Sequence, residues 1–291
     1  MTASVLGIIG GSGIYDLPGL EKREWRRVAS PWGEPSDEIL FAELDGLPMR
    51  FLPRHGRGHP LSPTGINYRA NIDALKRAGV TDLVSVSACG SFREELSPGT
   101  FVIVDQFIDR TFAREKSFFG NGLVAHVSMA DPVSPLLAAR AFAAAEAERI
   151  RARKGGTYLA MEGPQFSTRA ESHMYRSWGC DVIGMTNMPE AKLAREAEIC
   201  YASIAMVTDY DSWRSHDSDV DVTEILKVLK DNADNAARLV SRLARDFPRE
   251  HEPCPVGSDR ALEFAMLTAP DRRDPALLAT LDAVAGRVLG R

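Results

Sequence analysis

The chain has 291 residues, 44% of them hydrophobic and 26% charged, an ordinary globular composition with length for one large domain or two small ones. A formal net charge of −5 leaves no basic excess to follow a nucleic-acid backbone or an anionic membrane. Cys89, Cys180, Cys200 and Cys254 contain no C-x-x-C pair, which excludes zinc-finger spacing and argues against a disulfide framework.

Val5 to Ile9 reads as a short buried strand, stopped by the glycine-rich turn Gly10-Gly11-Ser12-Gly13. Ile39 to Leu44 and Met49 to Leu52 flank Asp45-Gly46-Leu47-Pro48, where Asp-Gly predicts a hairpin. Apolar positions between Asn67 and Arg77 suit a helix that Gly79 ends, and Leu83 to Val86 resumes strand character. Phe101 to Val104, Thr157 to Met161, Val182 to Met185 and Tyr201 to Val207 are further strands. Helical stretches at Pro135 to Ile150 and Pro189 to Glu198 separate them, and Ser134 caps the first of these. Val222 to Phe247 is the longest helical pattern. The alternation predicts an α/β sheet with helices on its faces. Residues 1–247 form the main unit, and 248–291 an extension of the same domain with short helices at Ala261 to Leu267 and Pro275 to Leu289. The opening MTASVLGIIGGSG has no basic leader, and no run approaches the roughly 18 apolar residues of a membrane span. With the scattered cysteines, this points to a reducing, cytoplasmic setting.

Four strand ends carry groups suited to an anion. Gly10-Gly11-Ser12-Gly13 can present backbone N–H groups and the Ser12 hydroxyl, or be only a tight turn; it matches neither G-x-G-x-x-G nor a Walker loop. Arg54-His55 closes the strand at Met49 to Leu52 and offers a fork of donors, or is a solvated basic turn. Ser87-Ala88 follows a strand with small side chains that admit a ligand near the backbone. Thr186 is a hydroxyl at a strand end or a helix cap. Donors from four segments around one point are what a tetrahedral anion requires, so the joint reading is a phosphate site.

Asp209-Tyr210-Asp211 places two carboxylates at another strand end. A helix cap is the alternative; a metal site lacks a completing ligand set, and no metal is expected. Carboxylates accept hydrogen bonds when ionised and donate when protonated, which suits the N6 amino group and N7 of adenine better than a 6-oxo purine.

In order, the segments GIIGGSGIYD, PRHGRGHPLSPTGINYRANI, SACGSFREELSPG, IDRT, MEGPQFSTRAES and MTNMPEAKLAREAEICYASIAMVTDYDSW closely resemble the methylthioadenosine phosphorylase branch of the trimeric purine nucleoside phosphorylase family, over about residues 5–245. That resemblance implies an α/β fold with a central mixed, partly barrel-like sheet flanked by helices. It also implies a homotrimer with sites near subunit interfaces, and phosphorolysis of a nucleoside with inorganic phosphate as co-substrate and no cofactor. Carried over by position, Ser12, Arg54, His55, Ser87, Ala88 and Thr186 would bind phosphate; many relatives have Thr where Ser12 stands. Met185 would contact the ribose, and Phe166 would cover the base. Ser167 replaces the Glu of relatives acting on 6-oxo purines. Asp209 would act catalytically at N7, with Asp211 near N6. His126, Val222, Ile225 and Leu226 would surround the 5′ substituent, partly across the trimer interface. The implied reaction serves purine and methionine salvage. Rival readings are a phosphorylase of 6-oxo nucleosides or methylthioinosine, a phosphate-independent nucleosidase, and a non-catalytic nucleoside-binding scaffold.

Overall fold

A computed structural model describes residues 2–11, 14–214 and 222–290; the side chains of 222–226 are outside what it describes. Ser12 and the side chains of Val222, Ile225 and Leu226 therefore lie outside the described residues.

The first strand, β1 (Leu6–Gly10), is buried throughout. The charged segment EKREWR forms β2 (Glu21–Arg26), an exposed edge strand that apolar patterning does not flag. It pairs antiparallel with β3 (Ile39–Leu44), and β3 with β4 (Leu47–Pro53). The hairpin between them turns on Asp45 and Gly46, with φ of 48° and 78°, the two positive values a two-residue turn of this kind requires. Next come α1 (Tyr68–Arg77), capped by Asn67, then β5 (Asp82–Ser91), β6 (Phe101–Val104) and the short β7 (Gln106–Asp109). Ser134 caps α2 (Pro135–Ala147), its Oγ accepting from the Leu137 amide. After β8 (Ala152–Lys154) and β9 (Thr157–Ala160), a capping box of Thr168 and Glu171 starts α3 (Arg169–Ser177), a helix the apolar periodicity did not suggest. Then follow β10 (Val182–Gly184), α4 (Asn187–Glu196), β11 (Cys200–Asp209) and α5 (Val222–Arg245).

The strands form one mixed sheet in the order β2-β3-β4-β1-β5-β10-β9-β7, with β11 branching from β5 and leading to β6 and β8. The branch at β5 positions everything that follows. Asp82 to Ser85 lie parallel to β1, whereas Gly90 and Ser91 pair antiparallel with β10. On the other edge β11 runs parallel to β5 from Asp82 to Gly90. Among the described residues, one edge of β5 between Ser85 and Gly90 is thus paired with neither β1 nor β10. The side chains of β5 alternate between two apolar cores, as strand geometry demands. Leu83 and Cys89 belong to the core that also holds Ile72 and Leu75 of α1 and Leu193 of α4; Val84 and Val86 belong to the one that holds Leu137 of α2 and Leu239 and Leu243 of α5. Among the described residues no helix is long and apolar enough to cross a membrane.

The C-terminal residues depart from expectation in one place. Ala261 to Leu267 is not a helix: residues 261–265 form turns, and the following residues pair at an edge with the 124–126 segment. The Leu267 amide donates to the Val124 carbonyl at 2.9 Å, so the backbone leaves helical geometry to satisfy that partner. Pro275 to Leu289 is broken into α6 (Pro275–Thr280) and α7 (Gly286–Leu289). Leu262, Leu281 and Val284 pack into the core shared by α1 and α4, and Arg287 pairs with the buried Glu198 at 2.6 Å.

His251 ties this extension to the first residue of β5, its Nδ1 lying 2.9 Å from Asp82 Oδ2. The hydrogen bond to Asp82 raises the imidazole above its ordinary 6.5 against partial burial. A raised folded-state value means stability present in full below about pH 6.5 and lost as pH rises through the shifted value. The unfolding free energy of His251→Gln should therefore fall below wild type by on the order of 1 kcal/mol at pH 6 and approach it at pH 8.5. A gap that does not change with pH would contradict the charged pair.

Candidate functional site

Arg54 follows the last residue of β4 and is only 2% exposed, which excludes the solvated-turn reading. Its Nε donates to Glu190 Oε2 at 2.8 Å and Nη2 to Glu190 Oε1 at 3.2 Å. Nη2 also reaches the Ile9 carbonyl at 3.1 Å and Ser85 Oγ at 2.6 Å, while Nη1 donates to the Val86 carbonyl at 3.0 Å. Burial opposes the guanidinium charge, but Glu190 outweighs it and holds the group protonated. Of five N–H groups, one on Nη1 is left over among the described residues for a ligand. One side chain thus clasps β1, β5 and α4 at the open edge of β5.

His55 presents differently from the expected second donor. Its Nδ1 lies 2.8 Å from the Leu61 carbonyl, which assigns the proton to Nδ1, and its ring stacks on His59 at 4.0 Å. Burial lowers its pKa to about 4. The neutral ring offers a lone pair at Nε2 and becomes a donor there only by taking up a proton, which a bound anion would favour.

Ser87 and Ala88 sit on the unpaired stretch of β5. Ser87 is buried, with Oγ 3.3 Å from Asn187 Oδ1, and Asn187 is in turn held by Ser203 Oγ. Ala88 is exposed although its strand neighbours are buried. Thr186 occupies the cap position of α4, yet its side chain makes no capping hydrogen bond, so its hydroxyl is not spent on the helix. The β5–β10 register sets Val182 opposite Ser91 and Ile183 opposite Gly90; continued three residues, it brings Thr186 level with Ser87.

At the far end of β5 lies the acidic pair. Asp209 Oδ1 accepts from the Asp211 amide at 2.8 Å, and Oδ2 from the Thr208 hydroxyl at 2.7 Å, so the cap reading holds in part for Asp209. Asp211 is held by the Ser172 hydroxyl of α3. Burial raises the Asp211 carboxyl above its ordinary value, and Ser172 only partly opposes this. The pair closes over Gly90: a Cβ there would lie 2.9 Å from Asp209 Oδ1 and 3.2 Å from Asp211 Cβ. Ser167 is buried beside this segment, its carbonyl accepting from Ser212 Oγ at 2.9 Å, while Phe166 is 80% exposed.

Met185 follows β10, and its carbonyl accepts from Arg114 Nη1 at 2.6 Å. Arg114 also reaches the Met188 and Glu162 carbonyls and pairs with Glu162 Oε1 at 3.0 Å. Burial works against the Glu162 charge, but bonds from Thr64, Arg114 and the Phe112 and Ala113 amides hold its carboxyl down at about 2. His126 is not brought to the strand ends; it lines a cavity of about 390 Å³ with Lys116, Phe119, Val124 and Lys192.

Four positioning residues escaped sequence reasoning: Glu190, Arg114, Glu162 and Ser172. For Glu190 a signal existed. An arginine following the apolar run Phe51-Leu52-Pro53 needs a counter-charge if it is buried, and Glu190 is an acid among the buried residues Ala191, Leu193 and Ala194 of α4.

The sequence profile of the phosphorylase superfamily matches residues 5–245. A Bradyrhizobium diazoefficiens protein named S-methyl-5′-thioadenosine phosphorylase is 68% identical over 289 residues, 99% of each chain. Among solved structures, a methylthioadenosine phosphorylase from an Antarctic soil metagenomic library superposes with a TM-score of 0.92 at 44% identity, covering 98% of this chain and 99% of the other. A variant of the Schistosoma mansoni adenosine/methylthioadenosine phosphorylase, solved in complex with methylthioadenosine, gives a TM-score of 0.78 at 35% identity, covering 83% and 91%.

Removing the carboxylate from Glu190 leaves Arg54 charged, buried and uncompensated. Glu190→Ala should lower unfolding free energy by about 3–5 kcal/mol in urea melts. A melt unchanged from wild type would show that the pair does not hold the strand ends.

Proposed function

The chain belongs to the phosphorylase superfamily, and from that membership we propose that it catalyses phosphorolysis of S-methyl-5′-thioadenosine to adenine and 5-methylthioribose 1-phosphate. One observation carries the reading: β5 has anion donors beside its open stretch and, at its far end, a carboxylate pair brought by β11 and the residues after it over Gly90. Arg54 bonds to Val86, and Asp209 lies over Gly90, four residues along, or about 13 Å of extended strand. That span accommodates phosphate, a pentose and a purine in sequence. The naming of relatives at 62–68% identity supports the same substrate.

In this reading the free Nη1 N–H of Arg54, the hydroxyls of Ser12, Ser87 and Thr186, and the backbone at Ala88 seat phosphate under the anomeric carbon. His55, protonated as the dianion enters, adds a further donor. A phosphate oxygen forms a bond to C1′ as the C1′–N9 bond breaks and its electron pair passes to the base. Positive charge grows on the sugar, where the bound anion stabilises it. Negative charge grows on adenine, where Asp209 shares or delivers a proton at N7. Asp211 faces the 6-amino group, and Ser167 leaves the purine edge without the acid that a 6-oxo substrate would use. Met185 underlies the ribose in a loop fixed by Arg114 and Glu162, and Phe166 covers the base. No metal or organic cofactor is called for, because phosphate itself is the nucleophile.

In this reading His126, Val222, Ile225 and Leu226 serve the methylthio end of the substrate, as the family resemblance implies. His126 lines a cavity with Val124, Ala125 and Met129; in the homotrimer of this reading it serves a neighbouring subunit's site. The partners are a small nucleoside and phosphate, with neither nucleic acid nor membrane. The role is purine and methionine salvage in the cytoplasm.

Adenine release from methylthioadenosine should require added phosphate and exceed release from adenosine, with inosine a poor substrate. Phosphate-independent hydrolysis, or a preference for inosine, would overturn the reading. Asp209→Asn should lower turnover on methylthioadenosine by about 10²–10⁴-fold; steady-state kinetics close to wild type would remove Asp209 from the chemistry.

A further inference from the structure

Tyr158 of β9 is wholly buried, and its hydroxyl is among the buried side-chain polar atoms of the described residues that have no hydrogen-bond partner. An orphaned hydroxyl at a fully enclosed position is costly unless something completes it. Its place in the sheet says what that is. Tyr158 pairs with Val182 in the parallel β9–β10 ladder, and its ring leans along the strand over Gly184, on the same face two residues on. A Cβ on Gly184 would lie only 1.9 Å from the Tyr158 hydroxyl oxygen, so the glycine is the hole through which the phenol reaches the end of β10. Two residues beyond Gly184 is Thr186, which the register sets level with Ser87. Burial raises the phenol above its ordinary value and the nearby Cys89 reinforces the rise; the Ser87 side chain acts against it, with smaller opposing effects from Arg54 and the Thr186 backbone. The hydroxyl therefore sits behind the phosphate-binding hydroxyls, on the side away from solvent.

We propose that Tyr158 is a phosphate-positioning residue: its O–H donates to Ser87 Oγ, turning the Ser87 proton away from Asn187 and toward a bound phosphate oxygen. In the free protein Ser87 Oγ sits 3.3 Å from Asn187 Oδ1, a long contact that a better acceptor displaces. The relay has one donor and one acceptor at each step, so phosphate arrival completes the orphaned phenol. Gly184 belongs to the same device, because any side chain there would expel the hydroxyl. This inference rests on the phosphorolysis reading above.

The test is Tyr158→Phe in the intact protein, with initial rates measured by varying phosphate at saturating methylthioadenosine and the reverse, alongside thermal melts without phosphate. The expected result is a three- to tenfold rise in KM for phosphate, the scale of one neutral hydrogen bond. KM for methylthioadenosine should stay within twofold, and the melting temperature should be unchanged or higher because an unsatisfied buried hydroxyl has gone. In a Ser87→Ala background the same substitution should leave KM for phosphate unaltered, since the relay is already cut. Equal KM for phosphate in Tyr158→Phe and wild type would overturn the proposal, as would both KM values rising together with a lower melting temperature, the mark of a packing role. Wild-type protein that cleaves without phosphate would instead defeat the reaction class, and that outcome is read before any variant is made.

Discussion

The buried ion pair of Arg54 and Glu190 is the constraint on which the site depends. Both groups are almost free of solvent, with side chains 2% and 0% exposed, and neither charge is tolerable there without the other. The pair does more than neutralise itself. Through the Ile9 and Val86 carbonyls and Ser85, the guanidinium links the end of β1, the middle of β5 and the start of α4. These are the segments whose ends carry the donors. A hydrophobic replacement could fill the space, but it could not bond three strand or helix ends and still hold one N–H free.

That clasp works because the sheet divides at β5. Where β1 ends and before β10 begins, the edge of β5 lacks a neighbouring strand, and a strand edge with unspent polar groups is a natural ligand seat. Thr186 and Asn187 enter from β10 on one side, and Gly10 and Gly11 leave β1 on the other. The acidic pair closes the far end only because Gly90 has no side chain. The proposed chemistry separates charge, with an anion under the sugar and an acid beside the base, and it would map onto the middle and the far end of this single strand.

Much of this was legible in the residues, for physical reasons. β1, the β3–β4 hairpin, α1, α2 and β11 announce themselves through apolar runs bounded by Asp-Gly, Asn67, Ser134 and Gly79, signals that act locally. The strand-end hydroxyls and the acidic pair could be gathered because each follows a recognisable strand. What escaped depends on distant partners. β2 is charged and becomes a strand by edge pairing with β3; Ala261 to Leu267 is apolar but yields its helix to the 124–126 edge; Glu190 acquires meaning only once Arg54 is known to be buried. For His55 the residue type does not say which nitrogen holds the proton; the Leu61 carbonyl beside Nδ1 does.

The most direct measurement is a crystal structure of the protein with phosphate and methylthioadenosine or adenine bound. The account requires phosphate within hydrogen-bond reach of Arg54 Nη1, Ser87 and Thr186, and the purine edge against Asp209 and Asp211 over Gly90, both ligands along the same stretch of β5. Phosphate bound away from Arg54, or a purine that leaves Asp209 in contact only with Thr208 and the Asp211 amide, would contradict it.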